Sequence, residues 1–341
     1  VPGAGLKLLG ALGAAALVFF ALLAALDLAI GAWFPGFERL SENFSAPYLE
    51  RAVRDLAKAP ARSEIVVIGD SVLWGYKLPA TENVTTQLAR GGLAVRNLSF
   101  EGGSPANTYA LLRLLLANGV RPRAVLFNVN QKEFNPSDSA YQKIHPSLDA
   151  LAGNLLSRDE RAQLLPTVDR TSIEARLDGW ISAHWRFYAL RSDIREALFN
   201  QVDAAHALDD AVQIVSGAKA RFEAEHRPTP DRFEGTYDLS PLDDKNVSVI
   251  FLRKSVALLA RERIPAVAML TPTNHVLLHD FIDTPQYGKN LEFVRTLLER
   301  GGVRVVDLDR TFGSGQFIDN DHLTAAGNRH LAEILEPELA R

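Results

Sequence analysis

Two residues of this chain are well placed to do chemistry together. One is Ser71, in Ile65-Val-Val-Ile-Gly-Asp-Ser71-Val-Leu-Trp-Gly75; the other is His322, in Asp319-Asn-Asp-His322-Leu-Thr. A serine hydroxyl is a poor nucleophile at neutral pH. It needs a base within hydrogen-bond reach, usually a histidine that a carboxylate orients in turn. Asp319-x-x-His322 supplies base and carboxylate within one turn of chain. In a tight loop the Asp319 carboxylate meets one ring nitrogen and the other nitrogen faces Ser71. Asp321, directly beside His322, is expected to point away. The chemistry this set can do is acyl transfer at Ser71.

Acyl transfer also needs donors aimed at the oxyanion that develops on the carbonyl. Three sources stand near strand ends: the N–H of Ser71, a glycine N–H from Gly102 or Gly103, and the side-chain amide of Asn130. The choice between the two glycines is open, since either permits close approach. Trp74 is a candidate substrate contact. Asn274, in Thr271-Pro-Thr-Asn274, is a second one, with a turn role as its equal alternative. Asp70 and Glu101 are expected to be solvated or bonded to local backbone. His275 and His279 have the i, i+4 spacing that can hold a metal. No third ligand accompanies them, so they read as surface or cleft-rim residues, and no metal or cofactor is implied.

These residues must be carried to one place by the fold. Apolar runs predict strands at Ile65–Ile68, Ala94–Leu98, Ala124–Val129, Ala266–Leu270 and Val303–Leu308. Helical spacing falls between them at Thr81–Arg90, Asn107–Asn118, Val247–Arg261, Leu291–Arg300 and Ala325–Glu338, with Thr324 as the cap of the last. Strand–helix alternation is the pattern of an α/β parallel sheet with helices on both faces. In such a sheet the loops at the carboxyl ends of the strands converge on one crevice, and the candidate residues fall on those ends. From about 132 to 245 the rhythm breaks into helical patterns (Leu148–Leu156, Ser172–Phe199, Ala204–Ala224). This insertion reads as a cap over the site or an interaction surface. Its Trp180, Trp185, Phe187 and Tyr188 read as helix packing, with a cleft lining or a docking face as alternatives.

Residues Leu8 to Leu26 carry no charge, and after Asp27 the apolar character continues to Phe34. Nineteen residues at about 1.5 Å each nearly cross a hydrocarbon layer of about 30 Å. A secretory signal core is shorter, roughly 7 to 15 residues. The expectation is therefore an uncleaved transmembrane anchor over 6–34, a juxtamembrane connector over 37–62 with a short amphipathic helix at Tyr48–Lys58, and a catalytic domain over 63–341 outside the cytoplasm. The chain has 341 residues, 47% of them hydrophobic, a formal net charge of -4 and no cysteine. Thiol chemistry, disulfides and cysteine-held metals are excluded. The absence of a basic run argues against nucleic acid as the main partner.

Gly69-Asp-Ser71, Gly102, Asn130 and Asp319-x-x-His322 occur in the order and spacing of the four blocks of the SGNH (GDSL-type) hydrolase superfamily, which this chain resembles over about 63–131 and 247–338. The resemblance implies a three-layer, flavodoxin-like fold. It also implies Ser71 as nucleophile with Asp319 and His322 as partners, and Ser71, Gly102 and Asn130 as oxyanion donors. Two blocks depart from the family pattern. The third reads Asn128-Val-Asn130-Gln131 instead of Gly-x-Asn-Asp, and the first reads Gly-Asp-Ser-Val without the trailing Leu. The anchor, the insertion and Thr271-Pro-Thr-Asn274 further resemble the membrane-anchored SGNH proteins (DltD-like and exopolysaccharide-acetylating) that partner membrane-bound O-acyltransferases. That likeness implies acyl transfer onto an envelope glycan or exopolysaccharide, with the acyl donor supplied by such a membrane-bound partner. The alternatives are an esterase acting on an envelope polymer and a non-catalytic docking partner.

Overall fold

The computed structural model describes residues 18–25, 28, 46–76, 78, 81–166, 181, 230–233, 235–237 and 240–340. The chain divides into two compact units, one of residues 1–42 and 168–205, the other of 43–167 and 206–341. In the first, residues 18–25 are helical, and the side chains of Val18, Phe19, Phe20 and Leu22 are exposed. Most of the apolar run over 6–34 lies outside the described residues, among which no helix is long and apolar enough to cross a membrane. The helices expected over Ser172–Phe199 and Ala204–Ala224, and the aromatic group with them, also lie outside the described residues.

The second unit is built on a five-stranded parallel sheet of order β2-β1-β3-β4-β5. Its strands are β1 (Ile65–Ile68), β2 (Val95–Asn97), β3 (Ala124–Val129), β4 (Ala266–Leu270) and β5 (Arg304–Asp307). This is the flavodoxin-like order, in which the direction of winding reverses between β1 and β3 and opens a crevice at their carboxyl ends. The side chains of β1 alternate between the two faces. Val66 and Ile68 join one core with Val125, Phe127 and Ala268. Ile65 and Val67 join the other with Leu126, Val267 and Met269. Burial on both faces explains why β1 is a continuous apolar run and β3 is apolar but for Asn128.

The first face is covered by α1 (Ala46–Lys58), α4 (Pro105–Ala117), α7 (Val247–Arg261) and α9 (Pro285–Arg300). The second is covered by α2 (Ser71–Trp74), α3 (Val84–Arg90) and α10 (Ala325–Ala340). Two boundaries differ from the sequence expectation. Helix α1 is not part of a connector: Leu49, Ala52, Val53 and Leu56 are buried in the core, and the Tyr48 hydroxyl donates to the Asn97 carbonyl at 2.9 Å. The start of the insertion likewise belongs to the domain. A 3₁₀ turn at Gln131–Phe134, α5 (Pro146–Ala152) and α6 (Arg158–Ala162) bring Phe134, Ile144, Leu148, Ala152 and Leu156 into the same core. Its far end returns at Tyr237, which packs with Leu278, Ile282 and Tyr287. Helix α8 (His275–Ile282) follows β4 where no apolar spacing predicts one; the Asn274 cap sets its start.

Candidate active site

The turn after β1 is fixed by side chains rather than by the backbone alone. Asp70 caps α2, its carboxylate accepting from the Val72 N–H at 2.8 Å. Asn128, at the end of β3, accepts from the Asp70 N–H (3.0 Å) and donates to the Asp70 carboxylate (2.8 Å) and the Thr271 hydroxyl (3.0 Å). A Cβ on Gly69 would collide with the Asn128 amide oxygen, so this close approach requires glycine. Asp70 is bonded to local backbone, one of the two expected alternatives, but it is also buried, and Asn128 and Asn130 donate to it from β3 and the turn that follows. Ser71 follows as the first residue of α2, where the helix leaves the N–H without an intrahelical acceptor.

The loop from Phe317 to Thr324 closes on itself. The Ile318 N–H donates to the His322 carbonyl at 2.7 Å, the Thr324 N–H donates to Gln316 at 2.8 Å, and Phe317 pairs with Leu323. Thr324 caps α10 as expected, accepting from the Gly327 N–H. The Asp319 carboxylate accepts from the His322 N–H at 3.0 Å, which draws the acid under its histidine. The His322 Nδ1 lies 2.8 and 2.9 Å from the two Asp319 oxygens, and Nε2 lies 2.7 Å from the Ser71 Oγ. Serine, imidazole and carboxylate thus form one continuous hydrogen-bonded line across 251 positions of sequence.

Burial pushes the His322 pKa down, but the Asp321 charge and the Asp319 hydrogen bond and charge outweigh it, and the net pKa is raised. The Asp319 carboxyl is lowered: burial pushes it up, but the His322 hydrogen bond and charge prevail. The Tyr76 ring packs on the imidazole, with centroids 4.4 Å apart and planes inclined by 39°. Nothing in the sequence reading pointed to Tyr76. Its only signal is its position five residues after Ser71, just past the end of α2.

The expectation that Asp321 points away is overturned. Asp321 is fully buried, with one carboxylate oxygen accepting from the Asn130 amide at 2.6 Å and from the Lys132 ammonium. Its other oxygen lies 3.3 Å from the His322 Nδ1 without making a hydrogen bond. The loop turns inward here because Asn320 and Asp321 both have polar partners in the interior: Asn320 donates to the Tyr237 hydroxyl at 3.0 Å. Lys132 and Glu133, at the start of the expected insertion, are both buried. Desolvation pushes the Lys132 pKa down, and the Asp321 charge more than restores it, leaving it well raised. Burial pushes the Glu133 carboxyl well up, reinforced by the Asp70 charge.

The expected oxyanion donors are placed unequally. Gly102 is exposed, has φ +75° and has open space where a Cβ would stand. The Gly103 N–H is donated to the Phe100 carbonyl at 3.2 Å, and the residue packs against the Gly69 carbonyl so closely that no Cβ fits. Gly102 is thus the glycine open to a ligand, and Gly103 the one that braces the serine turn. The Asn130 amide donates to Asp70 (3.1 Å) and Asp321 (2.6 Å), so both its hydrogens are committed to carboxylates. Donation to an oxyanion would require one of these bonds to be exchanged.

Of the candidate substrate contacts, Trp74 is half-buried at the end of α2. Asn274 is buried and caps α8; its amide donates to the Asp319 carbonyl at 3.0 Å and its N–H donates to Asn320 at 2.8 Å. His275 and His279 do not converge. His275 bridges Asp309 (2.9 Å) and Asp283 (3.0 Å), whereas His279 meets Asp280. Asp319, Asp321 and His322 do offer oxygen and nitrogen atoms within 4.8 Å of one another, but Lys132 already compensates Asp321 and the imidazole is shared between Asp319 and Ser71.

No family model and no curated protein matches this sequence. Among solved structures, the chain is similar to a protein described as a lipolytic member of the G-D-S-L family from Desulfitobacterium hafniense DCB-2. The identity is 10% and the TM-score 0.39, over 81% of this chain and 99% of that one. It is also similar to TesA, at 13% identity and a TM-score of 0.35, over 81% of this chain and 97% of the other. At these scores the likeness leaves the reading to the site's own residues.

Proposed function

We propose that this chain is a serine acyl-transfer enzyme of the SGNH type, an esterase in its simplest form. The observation that carries this reading is the line from Asp319 through His322 to Ser71, with bonds of 2.8 and 2.7 Å. In the first half-reaction the Ser71 Oγ attacks the ester carbonyl carbon and His322 Nε2 takes the hydroxyl proton. The oxyanion is met by the N–H groups of Ser71 and Gly102, with Asn130 joining by exchange of a carboxylate bond. Collapse breaks the ester C–O bond, and His322 returns the proton to the leaving alkoxide. An acceptor hydroxyl that His322 deprotonates then attacks the acyl-Ser71 ester; the bond to Ser71 Oγ breaks and His322 returns the proton to that oxygen.

Water as acceptor makes the enzyme an esterase; a sugar hydroxyl makes it an O-acyltransferase. The transferase reading, on an envelope glycan or exopolysaccharide outside the inner membrane, draws its support from the apolar run over 6–34 and from the family resemblance. In that reading a membrane-bound O-acyltransferase supplies the acyl group. The first experiment is hydrolysis of a small acetyl ester by the full chain in detergent, beside Ser71→Ala. Turnover that Ser71→Ala abolishes without unfolding supports the reading; turnover that survives it removes Ser71 as nucleophile. Mass spectrometry of candidate glycans incubated with enzyme and acyl donor separates transfer from hydrolysis.

A further inference from the structure

His322 faces two carboxylates, not one. Asp319 holds its Nδ1 at 2.8 Å, and Asp321, fully buried, stands 3.3 Å from the same nitrogen. A second buried carboxylate so close would hold the imidazole as its cation and take it out of use as a base. It would also compete for the Nδ1 proton and pull the ring away from Ser71. Neither follows if the extra charge is compensated, and Lys132 is placed to do that. Its side chain reaches inward from the 3₁₀ turn after β3, with only 8% of the residue exposed, and its ammonium bonds the Asp321 oxygen remote from His322.

A buried lysine is costly unless paired and hydrogen-bonded, and this position would be a plain surface residue if it served only to begin a loop. We propose that Lys132 is a positioning residue for His322, acting through Asp321: it anchors the second carboxylate and offsets part of its charge at the imidazole, so that Asp319 keeps the hydrogen bond to Nδ1. This rests on the reading of His322 as the base for Ser71. The charged groups facing His322 are Asp319 and Asp321 on its own loop and Lys132 on the turn after β3. Its neutral neighbours are the Ser71 hydroxyl and the Tyr76 ring. Around Lys132 itself stand Asp321, Asp70, Tyr141 and Tyr237.

The two members of the pair therefore act on His322 with opposite sign, which a merely structural pair would not do. Lys132→Met leaves the Asp321 charge bare, so His322 stays protonated to higher pH and kcat/KM on the acid side falls roughly tenfold. Asp321→Asn leaves the cation uncompensated, so the acid limb moves to lower pH. The double variant Lys132→Met/Asp321→Asn lies between them. The test measures the His322 ring titration by NMR in the full chain, beside the pH profile of ester hydrolysis for the same proteins. Opposite shifts in the single variants support the proposal. An unmoved His322 titration in folded Lys132→Met overturns it, as do losses of rate with no shift in either single variant. Should Lys132→Met fail to fold, Asp321→Asn and the charge-neutral double variant decide by the same titration. Because the NMR readout needs no turnover, a failure of Ser71 as nucleophile is seen separately, in Ser71→Ala.

Discussion

The side-chain amide of Asn274 donates to the main-chain carbonyl of Asp319 at 3.0 Å, while its carbonyl oxygen caps α8. One residue at the end of the β4 segment thus ties the loop that carries the acid and the base to the sheet. These bonds take one of its two amide hydrogens and one lone pair of its oxygen. Asn274→Ala should lower kcat several-fold with KM little changed, because the loop loses its tether and the triad its alignment. The lost cap and tether should cost about 1–2 kcal/mol in urea unfolding. An increase in KM alone would return Asn274 to the role of substrate contact.

In the proposed reaction the protonation state of His322 sets the acid limb of activity. The imidazole must be neutral to accept the Ser71 proton, and its pKa is raised because the Asp321 and Asp319 charges together outweigh the effect of burial. Activity should therefore fall as pH drops through a value above the usual 6.5 of a free histidine. A kcat/KM profile with a non-titrating acetyl ester measures this directly. Asp319→Asn removes the stronger hydrogen bond, so it should move the limb down and reduce the plateau by orders of magnitude.

Three glycines at the site should respond differently to a single methyl group. Gly69→Ala meets the Asn128 amide oxygen, and Gly103→Ala meets the Gly69 carbonyl. Each should displace the serine turn, cost roughly 2–4 kcal/mol and abolish ester turnover. Gly102→Ala meets nothing, but its φ of +75° strains any L side chain. It should cost only about 1–2 kcal/mol and leave turnover largely intact, since the N–H is kept. Denaturant unfolding and ester hydrolysis on the same three proteins check the order.

The parts of this molecule that the sequence made legible are those with a period or a cap. The bounds of β1, β3 and β4 match the runs Ile65–Ile68, Ala124–Val129 and Ala266–Leu270, because strands buried on both faces are apolar wherever no buried partner is at hand; their one polar residue, Asn128, is bonded to Asp70 and Thr271. Helix α9 begins at Pro285 rather than Leu291. Its first turn is polar on the exposed side and is set by the Thr284 cap and Pro285 instead of by apolar spacing. The line of Ser71, His322 and Asp319 was legible because it is written in short spacings. Lys132, Glu133 and Asp321 were not. A buried charge carries no periodic signal, and its placement depends on partners far away in sequence, such as the 189 positions between Lys132 and Asp321. The same holds for Asn128, whose grip on Asp70 makes Gly69 obligatory.

His145 should give the domain an acid-sensitive joint distinct from the active site. Its ring packs on Phe100, at the start of the turn that carries Gly102. Its Nδ1 accepts from the Ser147 N–H at 3.2 Å at the head of α5. A protonated Nδ1 cannot accept, and burial lowers the His145 pKa from the usual 6.5 to about 4. A histidine depressed in the folded state binds its proton more readily when unfolded. Stability is therefore lost as pH falls from about 6.5 towards 4, and changes no further from this source below that. The expected loss is about 3 kcal/mol at the lower end. His275 varies in another window: burial opposes its charge, but the hydrogen bond and charge of Asp309 raise it overall. Its contribution is fully present below 6.5 and fades as pH rises through the raised value. His145→Asn keeps a side-chain acceptor for Ser147 without a titrating ring. Urea unfolding at pH 7 and pH 4.5 should show a smaller pH difference in this variant than in the natural chain, and equal differences would mean that His145 is not the joint.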